Sequence, residues 1–307
     1  MKKYFYTFSI LVIAIFTFCI VNSLTSNKTI NTSATTIDSL SSKKIEWGIK
    51  RNDNHEQPDL GSTNKRIIDE AKGIAMGGKD SKKVYLTFDE GYEAGYTEKI
   101  LEVLKQNDVK ACFFITAHYV NTKPELVQKM IDEGHTIGNH TVNHKSMPSL
   151  TLEQIKSEVM TLHTTIYEKF GYEMKYLRPP KGEYSEKSVA YCNNLGYTHV
   201  MWSFAYDDWD EKKQGREDYA KKKILDNIHN GAVILLHGNS KDNTNVLDII
   251  NLDHKSYPLP WNAEETISSS FPQLYGKAVL KAHRILLHHT NDDFKKNFCG
   301  TEIAYED

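Results

Sequence analysis

The chain has 307 residues, 39% of them hydrophobic and 25% charged, enough apolar material for one large folded domain or two small ones. A formal net charge of −2 gives no polyanion-binding footprint, which argues against a nucleic-acid partner. Four scattered cysteines without a CxxC pair argue against a disulfide framework and against a cysteine metal site.

In chain order, Lys2 and Lys3 precede an apolar run from Tyr4 to Val21, broken only by Thr7, Ser9 and Thr17. A charged n-region followed by an h-region makes residues 1–22 a signal peptide or a membrane anchor, since residues 4–21 approach the ~20 that span a bilayer. Either way, export across the cytoplasmic membrane is expected. Residues 23–44, rich in Ser, Thr, Asn and Lys, read as a flexible linker, and 45–80 as an N-terminal extension packing on the domain that follows. That domain is expected over 81–250, with 251–307 a divergent tail of uncertain fold.

The domain alternates strand and helix patterns. Val84–Phe88 is a β-branched and aromatic strand run, followed by a helix over Thr97–Gln106. Ala111–Ile115 is the second strand, and Pro124–Glu133 a helix with proline in its first turn. A short strand at Thr136–Gly138 precedes the amphipathic helix Thr151–Phe170, stopped by Gly171. Strands at Lys175–Leu177, Tyr197–Met201 and Ala232–Leu236 then alternate with helices at Ser185–Leu195 and Asp218–His229. Six βα alternations predict an α/β fold with parallel strands, either a barrel or an open doubly wound sheet.

The chemistry-bearing residues cluster where those strands end. Asp89 and Glu90 follow the first strand, His140 and His144 the third, Arg178 the fourth, Asp207 and Asp208 the fifth, and His237 the sixth. Strand C-termini form the face where α/β barrels build active sites, so residues far apart in sequence should converge there. In Gly138–His144, one helical turn would put both imidazoles on one face, as a divalent metal needs. Each motif alone has an ordinary reading: a solvated turn for Asp89-Glu90-Gly91, a surface ion pair for Arg178, a helix cap for Asp208, a core histidine for His237.

Together they resemble the polysaccharide deacetylase family, the NodB-homology domain of carbohydrate esterase family four. Its five motifs stand in order as Thr87–Gly91 (TFDEG), His140–His144 (HTVNH), Arg178–Gly182 (RPPKG), Asp207–Trp209 (DDW) and Leu235–His237 (LLH). Trp47-Gly48-Ile49-Lys50, Pro58-x-x-Gly61, Glu90, Tyr92-Glu93-x-Gly95-Tyr96-Thr97, Gly182–Glu186 and Trp202–Tyr206 narrow the likeness. They resemble the spore-former subgroup that deacetylates N-acetylmuramic acid in cortex peptidoglycan. The likeness covers roughly residues 45–250.

The resemblance implies an irregular (β/α) barrel of fewer than eight strands, with or without its closing strand, and a monomeric, exported hydrolase facing the cell wall or spore cortex. It implies Asp89 as general base on a water molecule, Arg178 holding Asp89, and His237, oriented by Asp208, protonating the leaving amine. It implies a divalent metal on His140, His144 and Glu90, zinc before cobalt or manganese, lowering the water's pKa from ~15.7. Lys181, Gly182, Tyr184, Trp209, Leu235 and Leu236 are implied in substrate binding, Leu235 or Leu236 lining an acetyl-methyl pocket. The substrate implied is N-acetylmuramic acid in peptidoglycan glycan strands, its freed amine closing to muramic δ-lactam. Alternatives are a peptidoglycan or chitin-like N-acetylglucosamine deacetylase, a glycoside hydrolase using Asp89 and Asp208, and a non-catalytic glycan-binding barrel.

Two departures from the family pattern stand out. Glu90 replaces the usual second Asp and is one methylene longer. After Ile250 the usual closing Gly-aromatic-x-Phe strand is missing, and Leu286-Leu287-His288 copies the last motif superficially. Leu235–His237 is the better match because it ends a continuous apolar strand.

Overall fold

The computed structural model describes residues 37–80, 83–106, 109–249 and 303–304. The leader at 1–22, Leu286–His288 and nearly all of the tail lie outside the described residues. Among the described residues, no helix is long and apolar enough to cross a membrane.

The elements run β1 (Ile45–Glu46), α1 (Ser62–Glu70), β2 (Lys83–Glu90), α2 (Thr97–Gln106), β3 (Cys112–Ile115), α3 (Ala117–Thr122), α4 (Pro124–Asp132) and β4 (Thr136–Asn139). They continue with α5 (Leu152–Phe170), β5 (Tyr176–Leu177), β6 (Glu183–Tyr184), α6 (Glu186–Asn194), β7 (Thr198–His199), α7 (Glu217–Asn227), β8 (Ala232–His237), α8 (Lys241–Ile249) and β9 (Ile303–Ala304). Local chemistry sets the long helix: Thr151 and Gln154 form a reciprocal cap, and Gly171 closes it at φ 65°. Ser185 caps α6 in the same way with Ser188.

Six strands pair in parallel in the order β7-β5-β4-β3-β2-β8, while β9 lies antiparallel to the start of β2. The edges of this sheet approach each other. Beyond β7 the chain makes a parallel bridge from Phe204 to Ile234, with Leu235 N donating to Phe204 O at 2.9 Å. The architecture is therefore an incomplete, irregular (β/α) barrel of fewer than eight strands, as the motifs imply.

The pleat divides side chains between two faces. Outward, Val84, Leu86, Phe88, Phe113, Ile115, Ile137, Leu177, Ile234 and Leu236 join the main core under the helices. Inward, Tyr85, Cys112, Phe114, Tyr176 and Val233 form a smaller cluster. Cys112 and Cys192 are buried. Gly138 faces inward too, and a Cβ there would lie 2.4 Å from the Phe114 ring, so only glycine admits that ring.

The N-terminal segment seals one side: Trp47, Leu60, Ile67, Ile68 and Ala75 pack with Tyr184, Val189 and Met201. Residues 37–44 correct the expectation of a flexible linker reaching to 44. Ile37 is buried, Ser41 O accepts from Lys187 N at 3.0 Å, and Lys44 pairs with Glu46 and Glu183. One apolar anchor and a few ion pairs dock a segment whose composition alone reads as tether.

Candidate active site

The inward row continues past the small cluster into the charged residues. Asp89, two residues beyond Thr87 on β2, keeps the inward parity, and ladder bonds from His140 N to Ile115 O and Arg178 N to Asn139 O carry β4 and β5 one residue further. Arg178 is wholly buried. Its Nη1 donates to Asp89 Oδ1 at 2.8 Å and its Nη2 to Thr87 Oγ1 at 2.8 Å. Nε reaches Val200 O and Nη2 also reaches Met201 O, while the guanidinium lies 4.2 Å from the centre of the Phe114 ring. A buried cation is tolerable only when its donors are matched in this way. Burial opposes ionisation of Asp89, but His140, Arg178 and His237 outweigh it and hold the carboxyl below its ordinary range.

His140 and His144 meet, though not by a helical turn. Thr141 and His144 adopt φ 69° and 53°, and His144 N donates to Thr141 Oγ1, so the chain turns tightly and brings the rings to 4.8 Å between centroids. The expected helical spacing is thus replaced by a left-handed turn with the same outcome. His140 Nδ1 lies 2.8 Å from Arg178 O, so it carries the proton, and Nε2, 3.4 Å from Asp89 Oδ2, is left bare. Burial lowers the pKa of both imidazoles, that of His144 to about 4. Two neutral imidazoles, one with its second nitrogen tied to a carbonyl, fit a divalent metal as nitrogen donors. Among the described residues no group of three or more His, Cys, Asp or Glu side chains is arranged to hold a metal.

Glu90 does not join them. As the residue after Asp89 it faces the other way, and its carboxyl is buried with neither oxygen hydrogen-bonded. It fills the space left by Gly238, where a Cβ would lie 2.0 Å from Glu90 Oε1. Burial, then Glu93 and Asp89, push its pKa well above the ordinary range. The implied ligand set of His140, His144 and Glu90 is thereby reduced to the two histidines.

On the opposite wall, His237 Nδ1 lies 2.8 Å from Asp208 Oδ1, and His237 N donates to Asp208 Oδ2 at 2.7 Å. Burial would lower the His237 pKa, but Asp208 outweighs it and raises the value, favouring imidazolium. Asp208 is wholly buried, whereas its neighbour Asp207 turns outward to Lys213, Arg216 and Tyr219. Asn243 and Tyr206, which no motif reading singled out as a pair, complete the Asp208 surroundings. Asn243 has only a weak sequence signal, a polar residue in the first turn of the helix after the last motif.

Between the two walls lies a cleft of about 1140 Å³, lined by Asp89, His140, His144 and His237 and also by Lys181, Gly182, Trp209 and Leu235. Leu236 is corrected by the pleat: it packs in the helix-side core. Tyr184 is corrected too, being buried against Trp47 with its hydroxyl donating to Asn64 Oδ1 at 2.6 Å.

Comparison with known proteins agrees with this geometry. The polysaccharide deacetylase family model matches residues 77–200. An uncharacterized 30.6 kDa protein of Geobacillus stearothermophilus is 42% identical over 210 residues, covering 68% of this chain and 79% of its own. The peptidoglycan-N-acetylmuramic acid deacetylase PdaA of Bacillus subtilis is 40% identical over 212 residues, 69% of this chain and 81% of PdaA. The solved structure of that PdaA, a family 4 carbohydrate esterase, superposes with a TM-score of 0.66 over 68% of this chain and 90% of its own. A family 4 carbohydrate esterase from Bacillus anthracis, 34% identical, gives 0.57 over 72% and 95%. The chain belongs to the polysaccharide deacetylase family, the family 4 carbohydrate esterases, hydrolases of N-acetyl amide bonds. Deacetylases of this family are generally metal-dependent.

Proposed function

We propose that this protein removes the acetyl group from N-acetylmuramic acid in peptidoglycan. The observation that carries the reading is an acid and an imidazole paired across one cleft: Asp89, hydrogen-bonded to Arg178 and held below the ordinary carboxyl range, faces His237, hydrogen-bonded to Asp208 and held above the ordinary imidazole range. Asp89 takes a proton from water as the oxygen attacks the acetamide carbon. His237 gives a proton to the departing nitrogen as the C–N bond breaks, leaving acetate and a free amine. Leu235, on the cleft wall, suits the acetyl methyl group. A divalent metal held by His140 and His144, zinc before cobalt or manganese, would supply carbonyl polarisation and a more acidic water.

The muramic acid assignment is supported by 40% identity to a muramic acid deacetylase over most of both chains. The amine so freed lies beside the lactyl carboxyl of the same sugar, and its attack on that carboxyl carbon with loss of water, giving a δ-lactam as in spore cortex, extends the reading. The lysine-led apolar run of the leader supports export to the wall. A glycoside hydrolase is disfavoured because both Asp208 oxygens are occupied by His237 and Asn243 and do not face the cleft. Mass spectrometry of glycan strands treated with the enzyme tests the reading. Acetate release with the acetyl lost from muramic acid and no new reducing ends is expected; loss from glucosamine alone, or glycosidic cleavage, would overturn it.

A further inference from the structure

We propose that Asn243 is a positioning residue for the reaction, holding Asp208, and through it the His237 imidazole, in the orientation that delivers a proton to the leaving nitrogen. The proposal rests on the deacetylase reading for its kinetic arm only. Asn243 is 1% exposed, sits in the first turn of α8 and does not line the cleft, so it acts through other groups.

Three donors reach the buried Asp208 carboxylate: His237 N, His237 Nδ1 and Asn243 Nδ2, the last at 2.6 Å. The same Asn243 amide also reaches His237 O at 3.0 Å. One side chain therefore spans the motif loop that carries Asp208 and the strand end that carries His237. Its own orientation is dictated from behind. Tyr206 donates its hydroxyl to Asn243 Oδ1 at 2.5 Å, which turns the NH₂ towards the carboxylate. Flipped, the amide would set an oxygen against Asp208 and leave the phenol without this acceptor. The backbone of Asn243 is held as well, its N donating to Ser240 Oγ at 3.2 Å. A buried carboxylate that loses a donor either rotates or gains a proton, and either event releases the imidazole. The charged or titratable groups acting on His237 are Asp208, Asp89 and Arg178, with His140 and His144 across the cleft. Asn243 is the uncharged member that fixes the first of these.

The test uses the full chain and two variants. Asn243→Ala is expected to lower kcat about ten- to hundredfold, the usual cost of losing an outer partner of a catalytic group, with KM unchanged. It should also lose the low-field proton resonance of the His237 Nδ1–H bonded to Asp208, a readout that needs no substrate. Asn243→Asp keeps the size and the Tyr206 contact but places a second carboxylate against Asp208. Its activity should be depressed at neutral pH and recover as the pH falls and the new acid becomes a donor. A folded Asn243→Ala that keeps both the resonance and full acetate release would overturn the proposal. So would an Asn243→Asp enzyme with the wild-type pH profile, which decides the matter if the alanine variant does not fold. If the wild type released no acetate, the deacetylase reading would fail, while the resonance would still decide whether Asn243 positions the pair.

Discussion

Asp89 and Glu90 are neighbours in sequence, and the contrast between them separates the two sides of the sheet. Asp89 points into the barrel, is tied to Arg178 and has its pKa pulled down; Glu90 points out, its carboxyl has no hydrogen-bond partner and its pKa is pushed up. Leu235 and Leu236 repeat the contrast on β8, one lining the cleft and the other packed under the helices. Burial alone does not make a functional carboxylate. Basic partners on the same face do, because His140, Arg178 and His237 together reverse the direction in which burial pushes the pKa.

Substitutions on the two faces should therefore fail in different ways. The largest effects are expected on the inner face. Asp89→Asn and His237→Ala should each reduce acetate release by about 10²–10⁴-fold, the range of a lost acid or base, with circular dichroism unchanged. Residual turnover within tenfold of wild type would contradict their roles.

The outer face should instead report through stability. Leu236→Ala should cost about 2–5 kcal/mol in urea unfolding, the range for a truncated buried leucine, with KM unaltered. Leu235→Ala should chiefly lower kcat/KM. Equal kinetic effects from the two leucines would erase the distinction between faces.

The pH profile sharpens the comparison at moderate size. His237 acts protonated, and its raised pKa places the alkaline loss of activity above the ordinary histidine value of 6.5. Asp89 acts ionised, and its lowered pKa places the acid loss below the ordinary 3.8. Asp208→Asn removes the charge that raises His237, so the alkaline limb should move to lower pH; an unmoved limb would exclude Asp208 as its cause.

Much of this was readable in the chain. Apolar periodicity and caps at Thr151, Gly171 and Ser185 mark strands and helices, and strand-end placement gathers Asp89, His140, Arg178 and His237. The errors have physical origins. Motifs treat adjacent residues as a unit, whereas a pleated strand sends them to opposite faces, which misassigned Glu90 and Leu236. Left-handed conformations at Thr141 and His144 leave no glycine signature, so the spacing of the histidines by itself reads as helical. Tyr184 stands in a motif-like run, yet long-range packing against Trp47 claims it. Asn243 depends on a contact across 35 residues of chain that no local pattern encodes.

The smallest expected effect is also the most direct test. Calorimetric titration of zinc into the wild type, His140→Ala and Glu90→Gln asks which face holds the metal. Unchanged affinity in Glu90→Gln together with lost binding in His140→Ala is the predicted result. Equal loss in both variants would place Glu90 among the ligands and contradict the division of the sheet into a reactive interior and a packed exterior.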